Sequence, residues 1–448
     1  MKIQEDSLKM SRVQRPLFIV AGTRPEIIKL TPVMEWLDKL GVEYVFVWSG
    51  QHYDYELSEI FFEELHTPKP HMNLNVGSGS HAEQTARIIV ALEEQIKKIK
   101  PSIIVAEGDT NTVVASSLTS IKCQTPFAHV EAGLRSWNIT MPEEVNRKVA
   151  DAIATIHFAP TKLAVINLLF EGISSKNVYL TGNTIVDIVN KFKDFIMEKG
   201  EAFLSEYGLN NNSYILVTLH RAENTNSPQR LGNILKALAE LSQQYNVIFP
   251  VHPRTKNRIV ELGLEKYLQK VKVIKPLGYI EFLSLLANCS VVLTDSGGVQ
   301  EEAFVLRVPT VTLRYNTERP ETTIYGLNKL AGADTESIVK LTLHQINFAK
   351  KVKSLGIENL LGDGRAGERI AKALKELSEK KVALEEPDLR ETPVITYALL
   401  DNEANANTIL EAIIGFDKNG EPCSSSEDYW RLLARIKKNY DTCTPNSK

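Results

Sequence analysis

Short apolar segments alternate with amphipathic segments along most of the chain, and this alternation limits the possible folds more than any other feature. In the first part of the chain the apolar runs lie at residues 17–20, 44–48, 103–106 and 127–130. Short strands that are apolar on both sides are typical of parallel sheets covered by helices on both faces. This part is therefore predicted to form a doubly wound α/β domain.

A second copy of the same alternation follows a predicted helix at residues 185–199. Its apolar runs, each leading into a polar turn, lie at residues 214–217, 246–249, 290–293 and 309–313. We therefore expect two doubly wound domains, with the helix crossing between them. Since ligands bind outside the carboxyl ends of strands in open parallel sheets, the expected site is a cleft between the domains.

Composition excludes several other classes of protein. The 448 residues are too many for one small domain, and 52 basic against 55 acidic side chains leave a net charge of −3. Nucleic-acid-binding proteins normally show a basic excess instead. No stretch reaches the ~18–20 apolar residues of a membrane span, and the residues before the first strand lack the apolar core of a signal peptide. Scattered cysteines without a CxxC pair fit a reducing compartment, so a cytoplasmic protein is expected.

One predicted strand-to-helix turn, Asp295-Ser-Gly-Gly-Val-Gln-Glu-Glu302, has the features of a phosphate site. Gly297 and Gly298 would let backbone N–H groups approach an anion, and Ser296 can add a hydroxyl hydrogen bond. Glu301 and Glu302 could bind ribose hydroxyls or simply favour the helix dipole. A tight turn with a serine N-cap remains an alternative explanation of the Ser-Gly-Gly sequence.

Other turns carry side chains suited to an anionic ligand. In Gly22-Thr-Arg-Pro-Glu-Ile-Ile-Lys29, Arg24 is a forked donor for phosphate and Lys29 lies about one helical turn further on, although a capped helix with solvated charges would explain them too. His220 and His252 stand at successive strand ends, where a histidine can act as an acid, a base or a donor to a leaving phosphate. A metal site formed by His129, His220 and His252 is an alternative that is not favoured, because no HxH or HExxH spacing occurs.

Acidic side chains cluster at the predicted strand ends of the first half. Asp109 and Glu131 follow two such strands, and Glu143 lies in Pro142-Glu-Glu-Val-Asn-Arg147 after a loop. Carboxylates at adjacent strand ends converge in one crevice, where they could remove and return a proton. Crowding also raises the pKa of a carboxyl group, so that one could hold a proton near neutral pH. Solvent-facing loop carboxylates are the alternative for each group taken singly.

Taken in order, these motifs resemble the non-hydrolysing UDP-N-acetylglucosamine 2-epimerase family. The resemblance covers about residues 17–378, and the ordered series is far more specific than any single motif. The matching segments are Gly22-Thr-Arg-Pro-Glu26 with Lys29, Gly50-Gln-His52, Gly108-Asp-Thr110, His129-Val-Glu-Ala-Gly-Leu-Arg135, Pro142-Glu-Glu-Val-Asn-Arg147, Thr181-Gly-Asn183, His220-Arg-Ala-Glu-Asn224, Asp295-Ser-Gly-Gly-Val-Gln-Glu-Glu302, Thr317-Glu-Arg-Pro-Glu321 and Gly362-Asp-Gly364.

The resemblance implies a GT-B fold, in which two Rossmann-like domains enclose the active site between them. It places an N-terminal domain with the catalytic carboxylates at residues 1–184 and a UDP-binding C-terminal domain at residues 185–365. A helix at residues 366–380 would cross back to the first domain. Residues 381–448 form an extension outside the family pattern, for which packing or assembly is the expected role.

The resemblance also implies an activity, the reversible interconversion of UDP-N-acetylglucosamine (UDP-GlcNAc) and UDP-N-acetylmannosamine (UDP-ManNAc). UDP would be eliminated across C1–C2 to give a bound 2-acetamidoglucal, and would then add back with the configuration at C2 inverted. No redox or metal cofactor is implied. The expected partners are the UDP-sugar and a second copy of the chain in a homodimer, with no nucleic acid and no membrane.

Functional positions of the family match residues of this chain one by one. The residues matched to catalytic positions are Asp109, Glu131, Glu143, His220 and Lys29. The residues matched to substrate-binding positions are Arg24, Gln51, Arg135, Arg147, Arg221, His252, Ser296, Gly297, Gly298 and Glu302. These residue types suit the chemistry, because cations and N–H groups stabilise a departing diphosphate and inversion at C2 needs a base and an acid on opposite faces. Which carboxylate serves which face is left open.

Other functions remain open at this stage. Segments 136–141 and 322–326 depart from the family pattern and could change the sugar accepted or an activating UDP-GlcNAc site. A 2-epimerase of another UDP-sugar, such as a 2,3-diacetamido uronic acid form, is the next hypothesis, followed by a hydrolysing epimerase that releases free ManNAc. A catalytically silent UDP-sugar-binding regulator and a GT-B glycosyltransferase also remain, because a fold does not fix a function.

Overall fold

The computed structural model describes residues 15–50, 65, 67–352, 356–380 and 382. Within this part the chain forms two parallel β-sheets separated along the sequence, as the alternation of apolar segments predicts. The prediction of two doubly wound α/β units is thereby confirmed. Gln51 and nearly all of the predicted 381–448 extension lie outside the described residues.

The first sheet has the strand order β3–β2–β1–β4–β5–β6–β7, and all of its described neighbours pair in parallel. Its strands are β1 (Leu17–Ala21), β2 (Tyr44–Trp48), β3 (Met72–Asn73), β4 (Ile104–Glu107), β5 (Phe127–Val130), β6 (Ile156–Ala159) and β7 (Val178–Leu180). Strand β1 lies at the centre, because Phe18 pairs with Val45 on one side and with Ile104 on the other.

The second sheet has the order β10–β9–β8–β11–β12–β13 and is also parallel over its described pairs. Its strands are β8 (Tyr214–Thr218), β9 (Asn246–Pro250), β10 (Lys272–Ile274), β11 (Val291–Thr294), β12 (Thr310–Thr312) and β13 (Asn328–Leu330). In both sheets the strand order reverses beside the first strand, between β1 and β4 and between β8 and β11. Such a reversal opens a crevice at the carboxyl ends of the two strands.

Helices connect the strands and cover the sheets. In the described part they are α1 (Arg24–Lys39), α2 (His81–Ile99), α3 (Asn111–Lys122), α4 (Pro142–Ile153), α5 (Lys162–Phe170), α6 (Thr184–Glu206), α7 (Ala222–Thr225), α8 (Pro228–Leu241), α9 (Pro253–Glu261), α10 (Tyr279–Asn288), α11 (Gly297–Val305), α12 (Thr335–Val352) and α13 (Ala366–Glu379). Several begin at side-chain N-caps, such as Ser80 before α2 and Thr161 before α5, because these hydroxyls accept from the first free N–H groups.

The burial of β1 shows why its sequence is apolar throughout. Leu17 and Ile19 pack into the core beneath α1, whereas Phe18 and Val20 pack on the opposite side against α2 and α3. Successive side chains of a strand point to opposite faces, so a strand covered by helices on both faces must be apolar at every position. The continuous apolar run therefore predicts a central strand.

Helices α6 and α13 join the two halves of the molecule. Asp187 of α6 accepts hydrogen bonds from the backbone N–H groups of Ala366 (3.1 Å) and Gly367 (2.9 Å), and so caps the start of α13. Helix α13 packs along α1, where Gly367 lies against Pro32. One apolar core runs from Ile27 of α1 through α6 to Leu283 of α10, so both sheets share it.

Sequence patterns did not predict β3, β6, β7, β10 and β13. Strand β6 carries the buried His157, and β10 has the partly exposed sequence Lys-Val-Ile, so neither shows a continuous apolar run. Short strands of this kind form because a neighbouring strand supplies hydrogen-bonding partners. None of the helices in the described part of the chain has the length and apolarity that a membrane crossing requires.

Candidate active site

Four strand ends at the two crevices carry most of the motif residues. Strands β1 and β4 lead into the turns before α1 and α3, and β8 and β11 lead into the turns before α7 and α11. The side chains on these turns, together with those on the loops after β5 and β12, form a continuous set of ion pairs. That set connects the first sheet with the second.

Glu26 holds the turn after β1. Its carboxyl group accepts hydrogen bonds from the backbone N–H groups of Gly22 (2.7 Å) and Thr23 (2.6 Å) and from the hydroxyl of Thr110 (2.6 Å). Burial raises the pKa of Glu26 to about 7, although these hydrogen bonds oppose the shift. Because Thr110 follows Asp109, Glu26 ties the first turn to the loop that carries a predicted catalytic acid.

Lys29 lies at the centre of a buried cluster of carboxylates. Its ammonium group pairs with Glu131, lies 3.0 Å from Glu301 Oε2 and lies 3.5 Å from Glu107 Oε1. Burial by itself would lower the pKa of Lys29, but the three carboxylates outweigh it and raise the pKa above its ordinary value. Lys29 is therefore a permanently charged residue that joins the first half of the chain to Glu301 of the second.

Arg319 crosses between the halves in the opposite direction. Its Nη2 lies 2.7 Å from Glu131 Oε1, its Nε pairs with Glu301, and its Nη1 lies 3.7 Å from Glu318. The two oxygens of Glu131 are thus occupied by Arg319 and Lys29. Burial opposes ionisation of Glu131, but the two cations hold its pKa at about 2, so it is a fixed carboxylate.

The backbone of Glu131 is also unusual. Its φ is +70°, in the left-handed region that costs energy for a residue with a Cβ. The N–H group of Glu131 donates to the carbonyl of Phe158 in β6 (3.1 Å), which holds this conformation at the end of β5. Strain of this kind persists where the surroundings fix it, and it marks a position at which the direction of the side chain matters.

Glu318 is the centre of a second buried cluster and is surrounded by guanidinium groups. Arg314 Nη2 lies 2.9 Å from it, and Arg221 and Arg147 approach to 3.8 Å and 4.0 Å. Although burial would raise the pKa of Glu318, Arg319 and these three arginines together lower it well below its usual range. Glu318 therefore keeps several cations in place at the cleft.

Asp109 and Glu143 are the predicted acids that stay partly exposed, with 21% and 30% of their side-chain surface accessible. Arg147 holds Asp109 through its Nε (3.1 Å) and Nη2 (3.0 Å), and Arg221 pairs with Glu143. Each acid thus has one arginine partner and one face open to a ligand. Glu131, 6% exposed, lies deeper.

His220 lies at the end of β8 with 47% of its side chain exposed. The buried Asp295 accepts hydrogen bonds from the backbone N–H groups of His220 (3.1 Å) and Arg221 (2.9 Å), and its Oδ1 lies 3.6 Å from His220 Nδ1. Asp295 thereby fixes the turn before α7. The imidazole of His220 is left available to a ligand beside the Arg221–Glu143 pair.

At the start of α11 the structure shows a serine N-cap, and the phosphate site expected at this turn stays a prediction. The Ser296 hydroxyl caps the helix by accepting from the N–H group of Val299 (3.5 Å). A Cβ on Gly297 would lie 2.7 Å from Glu318 Oε1, whereas one on Gly298 would meet little. Glu302 is buried beside the Tyr279 hydroxyl, and burial raises its pKa to about 8. Glycine at residue 297 thus permits the close approach of the helix start to the charged cluster.

Three other predicted residues lie in different surroundings. Arg135 donates to Asp151 (2.7 Å) and pairs with Glu171, so its guanidinium group is held within the first half of the molecule. His252 caps α9 by accepting from the N–H group of Arg254 (3.2 Å). Arg24 is half-buried at the first position of α1. The substrate-binding roles of these residues, and that of Gln51, remain predictions.

Sequence reasoning assigned no role to four residues of the clusters: Glu107, Arg314, Glu318 and Arg319. Arg319 and Glu318 belong to the matched segment Thr317-Glu-Arg-Pro-Glu321, so the family series pointed to them without giving a function. Glu107 is the last residue of β4, and Glu131 directly follows β5. The position of Glu107 at a strand end could therefore have identified it as a site residue. The ion pair between Arg319 and Glu131 could not be predicted from the sequence, because 188 residues separate the two positions.

The arrangement can support proton transfer beside a leaving anion. Glu131 after β5 and Glu143 at the start of α4 pair with Arg319 and Arg221 of the second half. In the described part of the chain no group of three or more His, Cys, Asp or Glu side chains could hold a metal ion. The chemistry available to these side chains is general acid–base catalysis with electrostatic stabilisation of a departing group.

Comparison with known proteins agrees with this geometry. The family model described as UDP-N-acetylglucosamine 2-epimerase matches residues 36–375. A UDP-N-acetylglucosamine 2-epimerase of Methanocaldococcus jannaschii is 46% identical over 80% of this chain and 98% of the relative. A UDP-2,3-diacetamido-2,3-dideoxy-D-glucuronate 2-epimerase of Pseudomonas aeruginosa is 40% identical over 81% of this chain and 99% of the relative.

A solved structure extends the similarity to three dimensions. The crystal structure of the M. jannaschii UDP-GlcNAc 2-epimerase in complex with UDP-GlcNAc and UDP superposes with a TM-score of 0.76 at 44% identity. The match covers 81% of this chain and 99% of that chain. The GT-B fold class predicted from the sequence is therefore confirmed. On these grounds, the chain belongs to the UDP-N-acetylglucosamine 2-epimerase family.

Proposed function

We propose that this protein interconverts UDP-GlcNAc and UDP-ManNAc by inversion at C2 of the sugar. The observation that carries the proposal is the continuous set of ion pairs between the two halves. In it, Glu131 and Glu143 of the first half meet Arg319 and Arg221 of the second. An enzyme that removes a proton from a sugar and releases a diphosphate needs acids and cations in one cleft.

The proposed reaction starts with elimination. A carboxylate takes the proton from C2, the electrons of that C–H bond form the C1=C2 double bond, and the C1–O bond breaks so that UDP leaves with its electron pair. In the second step a UDP oxygen bonds to C1 of the 2-acetamidoglucal and C2 receives a proton on its other face. No oxidant is needed, because the second step reverses the first, except that the proton adds to the opposite face of C2.

Asp109 and Glu143 are the acids best placed to reach the sugar, since both are partly exposed and each is oriented by an arginine. Glu131 is held as an anion by two cations, so it would contribute a fixed negative charge close to the reacting carbons. Lys29 would act by holding Glu131 in place.

The UDP-binding half is proposed from the second sheet. The exposed imidazole of His220 and the free N–H groups at the start of α11, beside Ser296, would stabilise charge on the leaving diphosphate. We assign the acids to residues 1–184, UDP binding to residues 185–365 and the return crossing to residues 366–380. Arg24, His252 and Glu302 are kept as candidates for contacts with UDP.

Deuterium incorporation tests the proposal. The purified full chain is incubated with UDP-GlcNAc in deuterium oxide, and the sugars are followed by NMR and mass spectrometry. We expect UDP-ManNAc to form and deuterium to appear at C2 of both nucleotide sugars. The proposal fails if neither UDP-ManNAc nor C2 deuterium appears. Free ManNAc with stoichiometric UDP would instead identify a hydrolysing epimerase.

A second candidate substrate follows from one comparison. The P. aeruginosa relative whose name gives a 2,3-diacetamido-2,3-dideoxyglucuronate is as similar over most of its length as some relatives named for UDP-GlcNAc. Its sugar differs in having a carboxylate at C5 and a second acetamido group at C3. Parallel assays of kcat/KM with both nucleotide sugars decide between them, and the UDP-GlcNAc proposal requires that UDP-GlcNAc give the higher value.

We further propose a cytoplasmic location and a homodimeric state. The cysteine pattern supports the cytoplasmic location, and the family resemblance supports the homodimer. Light scattering of the purified full chain measures the mass directly. A mass close to 50.2 kDa would contradict the dimer, whereas twice that mass is expected.

A further inference from the structure

His129 lies in β5, is fully buried, and has an oxygen acceptor at each ring nitrogen. Its Nδ1 lies 2.6 Å from Oδ1 of Asp151, and its Nε2 lies 2.7 Å from the backbone carbonyl oxygen of Gly108. A carboxylate and a carbonyl can only accept hydrogen bonds. Two contacts this short therefore need a proton on each ring nitrogen, which makes the ring an imidazolium.

The charges around the ring are consistent with a positive imidazole. Asp151 is shared by His129 and Arg135, and Arg135 also pairs with Glu171, so two cations alternate with two anions. Burial alone would lower the pKa of His129, but Asp151 and the Gly108 carbonyl raise it above its ordinary value. Arg135 is the charged group that opposes this shift, and it does not reverse it.

The neighbouring His157 provides a contrast. It pairs in register with His129 on β6 and is also buried, and its Nε2 lies 2.7 Å from the backbone oxygen of Asp151. Its second contact, from Nδ1 to the Asn177 carbonyl, is long at 3.4 Å, and burial lowers its pKa. His157 therefore fits a neutral ring.

The His129 contact reaches the active site through Gly108. Gly108 has a φ of +87°, its N–H group donates to the Val130 carbonyl (3.1 Å), and its own carbonyl accepts from His129. Both ends of this glycine are thus pinned to β5. Asp109 is the next residue in the chain. The conformation of Gly108 therefore helps to set the direction of the Asp109 carboxylate, which has to reach the sugar in the proposed reaction.

We propose that His129 is a positioning residue that works as a charged imidazolium, fixing the Gly108 carbonyl and through it the direction of the Asp109 carboxylate. Its effect on turnover rests on the proposed epimerisation, whereas its charge state does not. Asp151 then has the task of keeping the imidazole charged. Arg135 donates to the same carboxylate of Asp151 and holds it in place beside the ring.

The charge state is tested without any assay of activity. The full chain is labelled with ¹⁵N-histidine, and the ring nitrogens are followed by NMR between about pH 6 and about pH 8, with the His129→Asn variant giving the assignment. We expect both ring nitrogens of His129 to stay protonated across this range, and His157 to show a neutral tautomer. A neutral His129 at about pH 7 would overturn the proposal.

The positioning role is tested with Asp151→Asn, which keeps the shape and removes the charge that stabilises the imidazolium. His129 then loses its proton within the working range, so kcat should fall by up to about 10²-fold as the pH rises, while KM and the affinity for UDP stay close to those of the parent. His157→Gln is the matched control, with an unchanged pH profile. The same pH profile for Asp151→Asn and the parent would overturn the role.

If Asp151→Asn does not fold by circular dichroism, His129→Gln replaces it, because the single amide nitrogen of glutamine cannot stand in for both ring nitrogens, each of which has its own oxygen partner. A lower kcat with unchanged UDP affinity is then expected, and an unchanged kcat refutes the role. If the parent chain shows no epimerase activity, the proposed function fails separately, and the NMR measurement still decides whether His129 is charged.

Discussion

At the scale of single residues, the buried cluster around Lys29 holds more carboxylates than cations. Lys29 and Arg319 are packed against Glu107, Glu131 and Glu301. An uncompensated buried charge is costly, so one of the three carboxyl groups should carry a proton. Burial raises the pKa of Glu107 well above its usual value. The charge of Lys29 opposes this shift, and the charge of Glu131 adds to it. Glu107 is therefore the carboxyl group that stays neutral.

If Glu107 is neutral, kcat should depend on pH in a way that can be measured. Above its raised pKa Glu107 becomes an anion beside Glu131, so kcat of the parent should fall on the alkaline side. Glu107→Gln cannot ionise and should lack this fall, while keeping kcat near neutral pH within about tenfold of the parent, less than the loss of a general acid or base. The measurement is kcat against pH for both proteins. A similar alkaline fall in the variant would contradict the argument.

Asp109 should behave differently, as a group that touches the substrate. Asp109→Asn keeps the size of the side chain but removes its capacity to take a proton, so turnover should fall by roughly 10²–10⁴. The affinity for UDP should be nearly unchanged, because Asp109 belongs to the first half and its partner is Arg147. Initial rates and UDP titration calorimetry provide the comparison. Near-normal turnover would remove Asp109 from the mechanism.

At the scale of elements, the central strands could be predicted because they are covered on both faces. The apolar runs of β1, β4, β8 and β11 place four turns at the cleft, and the family series identifies their polar residues. Edge strands such as β10 could not be predicted, because partial exposure removes the apolar signal. Ion pairs such as Arg319 with Glu131 depend on how two elements distant in the sequence pack together, and the local sequence does not determine that packing.

Glu26 shows how an element's start can depend on pH. Its folded pKa of about 7 lies above the ordinary 4.5, so its stabilising contribution is complete below about pH 4.5 and is lost as the pH rises to about 7. Glu26→Gln keeps an acceptor for Gly22 and Thr23 and cannot ionise. The stability of the variant relative to the parent should therefore rise with pH, by up to about 3 kcal/mol.

Denaturant unfolding at about pH 5 and about pH 8 measures this difference, because all other titrating groups are common to both proteins. Glu35→Gln is a control in the same helix, at a half-buried glutamate that pairs with Lys191 instead of holding the turn. A constant difference between parent and Glu26→Gln at the two pH values would show that Glu26 titrates normally, and the argument about its burial would be wrong.

At the scale of the whole molecule, the two halves are joined by two unlike kinds of contact. Buried ion pairs connect them at the cleft, where Lys29 meets Glu301 and Arg319 meets Glu131. Behind the cleft, an apolar core extends through α1, α6, α10 and α13. The desolvation penalty of buried charges offsets much of the attraction within an ion pair, whereas burial of apolar surface stabilises in proportion to the area removed from water. The packing of α13 on α1 should therefore set the stability of the whole chain.

Gly367 tests that packing at its closest point. A Cβ at this position would lie 2.6 Å from Pro32 Cβ and 2.7 Å from the Pro32 backbone, and a proline within α1 cannot move aside. Alanine normally favours a helix over glycine by about 1 kcal/mol, but the clash should outweigh this gain and destabilise the chain by about 1–3 kcal/mol. Gly367→Ala should thus lower the thermal midpoint, whereas Gly356→Ala, with open space at its Cβ, should not. An unchanged or higher midpoint for Gly367→Ala would mean that α13 can shift on α1 without loss, so the return crossing would not determine how the two halves are held together.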